Sequence, residues 1–417
     1  MTKILHILSQ IPAKTGSGIF FENIIQEFHT AGFEQSAVIG LPTNMKEYSL
    51  SNIEKIHTVL FKSTELPFEI PGMSDVMPYE SSIFSSLNDA EYNMYKSEFS
   101  KTIKNALLDF QPDFVITHHL WLTTSFICEV LSELENSRPK IFAICHGTDL
   151  RQLILAPQYR SYVTEQCQKL DGVFSLHEKQ AIEITQNYNI ERNKITIIGN
   201  GFNSNLFNMN NRIKNHKNEK HELIFAGKLS YSKGLLELIK AFDLLPADQF
   251  RLSIAGSGSG TETECIQEII RSGSSDIKCL GLIPQKELAE LFKKSDILIL
   301  SSFYEGLPLV LLEALATGLK VVVNELDGIK RWIPDAINES GNIIYVEMPK
   351  LSGIDSIEES ESEKYVVNLK DAILKMAVQI EKRRKVPIEY YDAVMEYSWT
   401  KIFDKIHSRI IDKPREN

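Results

Sequence analysis

Two carboxylates eight positions apart, Glu305 and Glu313, are the residues best placed to do chemistry. They bound the segment Glu305-Gly306-Leu307-Pro308-Leu309-Val310-Leu311-Leu312-Glu313. The rest of the stretch is apolar, and acids in apolar surroundings are costly unless paired or hydrogen-bonded. Pro308 suits the first turn of a helix, which puts Glu305 in a loop and Glu313 more than a turn inside the helix. A helix start offers free backbone N–H groups and a positive dipole end to an anion. Glu313 can then accept hydrogen bonds from a pair of ligand hydroxyls. The combination suits a molecule with phosphate at one end and polyols on both sides, as in a nucleotide sugar. The plainer alternative is a helix-cap acid followed by a surface acid. Leu311, Leu312 and Leu315 leave few exposed positions on this helix for that.

Further polar residues stand where apolar runs end. Gly227-Lys228-Leu229-Ser230-Tyr231-Ser232-Lys233-Gly234 follows one such run and precedes a helical stretch. In open α/β sheets ligands bind outside the carboxyl ends of strands, and Lys228 and Lys233 fall there. Two cations would stabilise a departing diphosphate as its charge develops; otherwise they are ordinary surface lysines. His146-Gly147-Thr148-Asp149 follows another run, and His118-His119 ends a third. Each histidine is either a site residue or a buried imidazole satisfied by its neighbours. Gly16-Ser17-Gly18 opens the first helical stretch and can bring backbone N–H groups to an anion. Gly256-Ser257-Gly258-Ser259-Gly260-Thr261 is a second glycine loop. Both lack the third glycine of the dinucleotide fingerprint, which argues against a nicotinamide or flavin dehydrogenase. The chain has no Asp-x-Asp, no His-Glu-x-x-His and no Cys/His cluster, so neither a metal nor a cofactor is expected.

These residues need a scaffold of some size. A chain of 417 residues exceeds what one core usually supports, so two domains are expected. A formal net charge of -10 argues against a nucleic-acid partner, which would require a basic face. Five scattered cysteines without a C-x-x-C pair exclude a disulfide framework and suit a reducing compartment. Apolar stretches fall short of the about 20 residues a spanning helix needs, and the first run is too short for a secretory segment. A cytoplasmic location is expected, with peripheral contact to the cytoplasmic face of a membrane left open.

Short apolar runs alternate twice over with longer amphipathic segments, the βαβ pattern of an α/β fold with parallel sheets. In the first half strands are expected at 3–8, 35–39, 114–117, 140–144, 172–175 and 195–198. Helices are expected at 19–31, 91–110, 123–135 and 158–169. Residues 64–88 read as a surface insertion or lid, and the polar stretch 208–221 as a linker. The pattern restarts with strands at 222–226, 251–255, 278–281, 296–301 and 320–324. Helices at 234–245, 262–273, 285–294 and 309–318 fall between them. A charge run at 358–364 reads as a solvated loop and 388–411 as one amphipathic helix. The expected division is 1–207, linker 208–221, 222–387, and a final helix 388–417.

Taken together the chain resembles the retaining GT-B glycosyltransferases of family 4 (glycosyl transferases group 1). The likeness rests on the first glycine loop, His146-Gly147-Thr148-Asp149, Asn200-Gly201, Gly227 through Lys233-Gly234, Gly256-Ser257-Gly258, and above all Glu305-x7-Glu313 with Ala314 and Gly318. It implies two Rossmann-like domains facing across a cleft. The nucleotide-sugar donor would sit mainly on the C-terminal domain and the acceptor mainly on the N-terminal one. Tyr397-Ser398-Trp399 resembles the start of a terminal segment that returns to the first domain.

The resemblance also implies roles. Glu305 would bind hydroxyls of the donor sugar, with the backbone of Gly306, Leu307 and Leu309 assisting. Glu313 would bind the ribose, Lys228 and Lys233 the diphosphate, and Gly256 would line the donor side. His146 would contact the donor sugar and stabilise oxocarbenium-like charge. Gly16, Ser17, Gly18, His118 and His119 would line the acceptor and phosphate side. Lys228 stands where many members carry Arg, which removes a two-pronged phosphate contact. The expected reaction moves a sugar from a UDP- or GDP-sugar to a carbohydrate, lipid-linked or small-molecule hydroxyl. It would proceed with retention and without a metal; because no second carboxylate is placed as a nucleophile, the expected route is front-face, with the departing phosphate taking the acceptor's proton. The alternatives are a non-catalytic GT-B partner subunit and a sugar-nucleotide epimerase.

Overall fold

The computed structural model describes residues 1–12, 14–74, 77–133, 138–210, 212, 220–258, 260–273, 276–303, 308–326, 328–353, 356–382 and 388–411. The chain forms two compact units: Met1–Asn200 with Trp399–Asn417, and Gly201–Ser398.

The first unit is built on β1 (Lys3–Leu8), β2 (Glu34–Pro42), β3 (Lys55–Phe61), a minor pair β4 (Pro71–Gly72) and β5 (Ser82–Ile83), β6 (Phe114–His118), β7 (Lys140–Ile144), β8 (Gly172–Ser175) and β9 (Ile195–Ile197). Seven of these make a parallel sheet of order β3-β2-β1-β6-β7-β8-β9. Its helices are α1 (Gly16–Thr30), α2 (Asp89–Phe110), α3 (Leu122–Ser132), α4 (Thr148–Leu155), α5 (Arg160–Cys167) and α6 (Glu178–Tyr188). The inner strands are mostly apolar because helices cover both faces, whereas the edge strand β3 alternates in burial. The order reverses between β1 and β6, and at that switch point the loops after neighbouring strands diverge and leave room for a ligand. The loops after β1, β6 and β7 carry the first-unit candidates.

The second unit repeats the scheme with β10 (His221–Ala226), β11 (Phe250–Ala255), β12 (Ile277–Gly281), β13 (Ile297–Leu300), β14 (Lys320–Asn324) and β15 (Ile343–Val346). They lie parallel in the order β12-β11-β10-β13-β14-β15, with the reversal between β10 and β13. The helices are α7 (Leu235–Asp243), α8 (Thr261–Ser272), α9 (Gln285–Lys294), α10 (Leu309–Ala316), α11 (Ile329–Trp332), α12 (Asp335–Asn338), α13 (Glu359–Glu381) and α14 (Ile388–Met395). Helix α15 (Trp399–Ile411) belongs to the first unit. Phe403 meets Phe28 of α1 edge-on at 5.0 Å, and Arg409 donates to Asn193 O at 3.0 Å.

Several elements differ from expectation. The charge run at 358–364 forms the leading turns of α13, whose Tyr365, Val366, Leu369, Ile373 and Met376 recur at helical spacing and are buried. The single helix expected at 388–411 is two. Between them Phe202 N donates to Tyr397 O, and Phe202 and Ser398 form a short parallel bridge. The insertion 64–88 is packed down rather than free: Leu66, Ile70, Met73 and Phe84 are buried in the first core, and Gln152 donates to Met73 O. The division between units falls at Asn200, ahead of the expected 207, because Phe202 and Phe207 pack into the second core. Most of the expected linker lies outside the described residues.

Candidate functional site

In the second unit a cavity of about 370 Å³ opens at the switch point. It is lined by Gly227 and Lys228 after β10, Gly256 and Ser257 after β11, Leu282 and Ile283 after β12, and Val310 and Glu313 of α10. Its walls are held by backbone. Gly227 N donates to Ala255 O, Leu229 N to Ser257 O, and Gly256 N to Gly281 O, which extends the sheet pairing past the strand ends. Gly256 sits at φ 146°, and a Cβ there would collide with the carbonyl of Gly227. Glycine is required at this close approach.

Helix α10 is apolar on every side and correspondingly buried. Glu313, in its second turn, is only 6% exposed. Among the described residues none donates to its carboxyl, and burial pushes its pKa up from 4.5 to about 7. A largely buried carboxyl that lines a cavity with no donor among the described residues is a costly arrangement that a hydroxyl-bearing ligand would relieve. The far end of the helix is fixed by Arg212, which donates to Thr317 O at 2.8 Å and to Ser295 O at 3.0 Å. That places a cation at the negative end of the helix dipole.

Lys233 does not line this cavity. It sits on the turn before α7, half-buried, with its carbonyl accepting from Ser301 Oγ at 3.0 Å. Phe303 N donates to Ser232 O, so this turn is tied to the end of β13. Leu309 begins α10 and is half-buried. Glu305, Gly306 and Leu307 lie outside the described residues. The segment they occupy starts from a stiff base, because Asn324 Nδ2 donates to both Ser301 O and Ser302 O, and Tyr365 Oη donates to Asn324 Oδ1 at 2.6 Å. Sequence reading passed over Asn324 and Tyr365, which only tertiary structure brings together.

In the first unit the histidines form one cluster. His118 Nδ1 and His146 Nε2 are 3.1 Å apart, with the rings stacked at an 11° angle. His119 Nδ1 donates to Asp149 Oδ1 at 2.5 Å. Asp149 Oδ2 accepts from the backbone N–H groups of Leu120 and His146 at 3.1 and 3.0 Å. Asp149 therefore joins the loops after β6 and β7. Burial opposes its ionisation, but His119 and the backbone donors outweigh that and hold its pKa at about 2. His118 and His119 are 1% and 3% exposed, so they support His146 from behind, and His146 itself is half-buried. Burial, helped by His119 against Asp149, lowers the His146 pKa to about 3, so it is neutral across physiological pH. Asp149 was visible in the sequence, but its part as a hub was not.

The first glycine loop forms the start of α1. Thr15 caps the helix by accepting from Gly18 N at 3.1 Å. Ser17 Oγ is turned inward onto Thr15 and Gln10, and Gly16 is exposed with open space beside it. No group of His, Cys, Asp and Glu able to hold a metal ion occurs among the described residues. Nor is any described helix long and apolar enough to cross a membrane.

Residues 207–369 match the family model of glycosyl transferases group 1, and residues 81–206 match that of glycosyltransferase family 4. The chain belongs to this glycosyltransferase family. Among the relatives of this family member is an uncharacterised glycosyltransferase of Methanocaldococcus jannaschii, 28% identical over 56% of the chain and 61% of the relative. Another is a D-inositol 3-phosphate glycosyltransferase of Pseudarthrobacter chlorophenolicus, 28% identical over 52% of the chain and 56% of the relative. The chain thus spans about three fifths of the length of these relatives. In fold this glycosyltransferase-family chain is a GT-B protein. Anabaena HepE, solved in complex with UDP and glucose, superposes with a TM-score of 0.63 at 15% identity, over 99% of the chain and 100% of HepE.

Proposed function

We propose that the protein transfers a hexose from a nucleoside diphosphate sugar, UDP- or GDP-linked, to an acceptor hydroxyl, with retention at the anomeric carbon and no metal requirement. The supporting observation is the cavity at the second switch point, where a cation, a glycine-lined turn and a buried carboxyl share one wall. The ribose hydroxyls donate to Glu313, and the apolar surface of Leu282 and Ile283 takes the base. Lys228, Lys233 and the start of α10 meet the diphosphate. Glu305, Gly306, Leu307 and Leu309 hold the transferred sugar. The UDP and glucose bound by HepE fit the same ligand class.

In the reaction the bond from the anomeric carbon to the diphosphate oxygen breaks and a bond to the acceptor oxygen forms on the same face. The departing phosphate oxygen takes the acceptor's proton, and the two lysines neutralise the charge that develops there. His146, neutral, offers a hydrogen bond to a sugar oxygen. Gly16, Ser17 and Gly18 line the acceptor side. The acceptor is a carbohydrate, a lipid-linked sugar or a small metabolite, and the enzyme works in the cytoplasm or peripherally at the membrane.

A panel of UDP-, GDP- and ADP-sugars, screened by thermal shift and then for transfer, tests the reading, because a ligand that binds only the folded state raises apparent stability. Product without acceptor would point instead to an epimerase. Inversion at the anomeric carbon would remove the retaining assignment, and loss of activity in chelator would remove metal independence.

A further inference from the structure

We propose that His118 is a positioning residue that fixes His146 in the tautomer protonated at Nδ1, so that His146 presents a hydrogen-bond donor, and not a lone pair, to its ligand. The role given to that donor rests on the reading of His146 as a site residue; the tautomer itself does not.

Neutral imidazole carries one proton, and the partner of one ring nitrogen decides which nitrogen holds it. The contact between His118 Nδ1 and His146 Nε2 needs one donor and one acceptor, which leaves two arrangements. If His146 donates from Nε2, His118 must hold its proton on its own Nε2. That atom is buried and has no hydrogen-bond partner among the described residues. The His118 ring meets the rings of Phe20 and Phe21 edge-on at 6.1 and 5.1 Å. A buried N–H without an acceptor is among the rarest features of folded proteins. If His118 donates from Nδ1, the orphaned Nε2 carries only a lone pair. His146 Nε2 then accepts, and its proton goes to Nδ1.

The neighbouring strand follows the same rule. Both amide N–H groups of Gln35 are committed, to Ile25 O at 2.9 Å and Asn52 O at 3.3 Å, so its Oε1 accepts from His6 Nε2. His6 Nδ1, also buried and unpartnered, is thereby left as a lone pair. Burial, aided by the surrounding imidazoles, holds His118 well below its ordinary pKa, and the same cause keeps His146 uncharged. Both rings are therefore single-proton groups. Asp149, by gripping His146 N, sets where the ring stands, and His118 sets which nitrogen is protonated.

The test is the tautomer of His146, read from long-range proton–nitrogen correlations of the full chain labelled with nitrogen-15 histidine, with the signal assigned through His146→Gln. The expected result is protonation at Nδ1 in the unaltered protein and in His118→Asn, whose amide can still donate from the position of Nδ1. In His118→Phe the proton moves wholly or partly to Nε2. Turnover of the nucleotide sugar should fall about fivefold in His118→Phe, the worth of one hydrogen bond, with KM little changed and recovery in His118→Asn. Protonation at Nε2 in the unaltered protein, or an unchanged tautomer in His118→Phe, would overturn the proposal. Absence of turnover with every nucleotide sugar would sink the proposed function and leave the tautomer result standing.

Discussion

Lys228 and Glu313 line one cavity of the second unit, the lysine from the turn after β10 and the glutamate from the second turn of α10. Two distant sequence motifs thus meet at the point where the strand order reverses. The lysine is exposed and the carboxyl is buried, so the parts proposed for them differ: Lys228 would meet charge that comes and goes, and Glu313 would read hydroxyls in a fixed place.

Glu313 destabilises the free protein at neutral pH and above. Its folded-state pKa of about 7 exceeds the ordinary 4.5, so the folded chain binds that proton more tightly than the unfolded one. The penalty is absent below 4.5, where both states are protonated. It grows as pH rises and is complete above 7, reaching about 3 kcal/mol. Glu313→Gln should therefore raise Tm at pH 8 and leave it nearly unchanged at pH 4. The same variant should lose UDP or GDP affinity by about ten- to a hundredfold. Melting curves across pH, paired with nucleotide titrations, check both.

Lys228→Ala and Lys233→Ala should each weaken binding of a nucleoside diphosphate by about tenfold and leave nucleoside binding untouched. The unaltered protein should also show a steeper salt dependence than either variant, since exposed ion pairs are screened. Titration with UDP and with uridine at two salt concentrations separates the charge contribution from the base contribution.

Gly256 and Gly260 offer an internal control. Both have positive φ, 146° and 83°, but a Cβ at Gly256 would strike Gly227 O while one at Gly260 meets open space. Gly256→Ala should cost about 2 kcal/mol or more and impair nucleotide binding. Gly260→Ala should cost about 1 kcal/mol. Denaturant unfolding of the two variants measures the difference.

Asp149→Asn turns an amide N–H₂ or a lone carbonyl toward groups that all need acceptors: His119 Nδ1–H, Leu120 N and His146 N. The first unit should lose about 2–4 kcal/mol. Because the folded-state pKa of Asp149 lies at about 2, below the ordinary 3.8, its contribution is present above pH 3.8 and fades only as pH falls toward 2. Unfolding of Asp149→Asn at pH 7 and pH 3 tests that window.

The sequence made legible what depends on local pattern. The strands β1, β7, β8 and β14 and helix α9 lie where hydrophobic period placed them. Lys228 and Gly256 could be singled out because each ends an apolar run at the end of a strand, and Glu313 because it interrupts one inside a helix. Strand β3 was missed because it is a sheet edge with alternating burial and interspersed Lys55 and His57. Helix α13 was missed because its first turns are all polar and look like a solvated loop until Tyr365. The support shell was illegible for another reason. Asn324 and Tyr365, or His119 and Asp149, become partners only once neighbouring elements are packed, and no spacing in one chain encodes that.

The cavity beside Lys228 and Glu313 is the proposed seat of the nucleotide of an activated sugar. Calorimetric titration of UDP and GDP into the unaltered protein, Lys228→Ala and Glu313→Ala tests that assignment directly. The expected result is saturable binding of at least one nucleotide that weakens about ten- to a hundredfold in each variant. Equal affinity in all three proteins, each verified as folded, would contradict it.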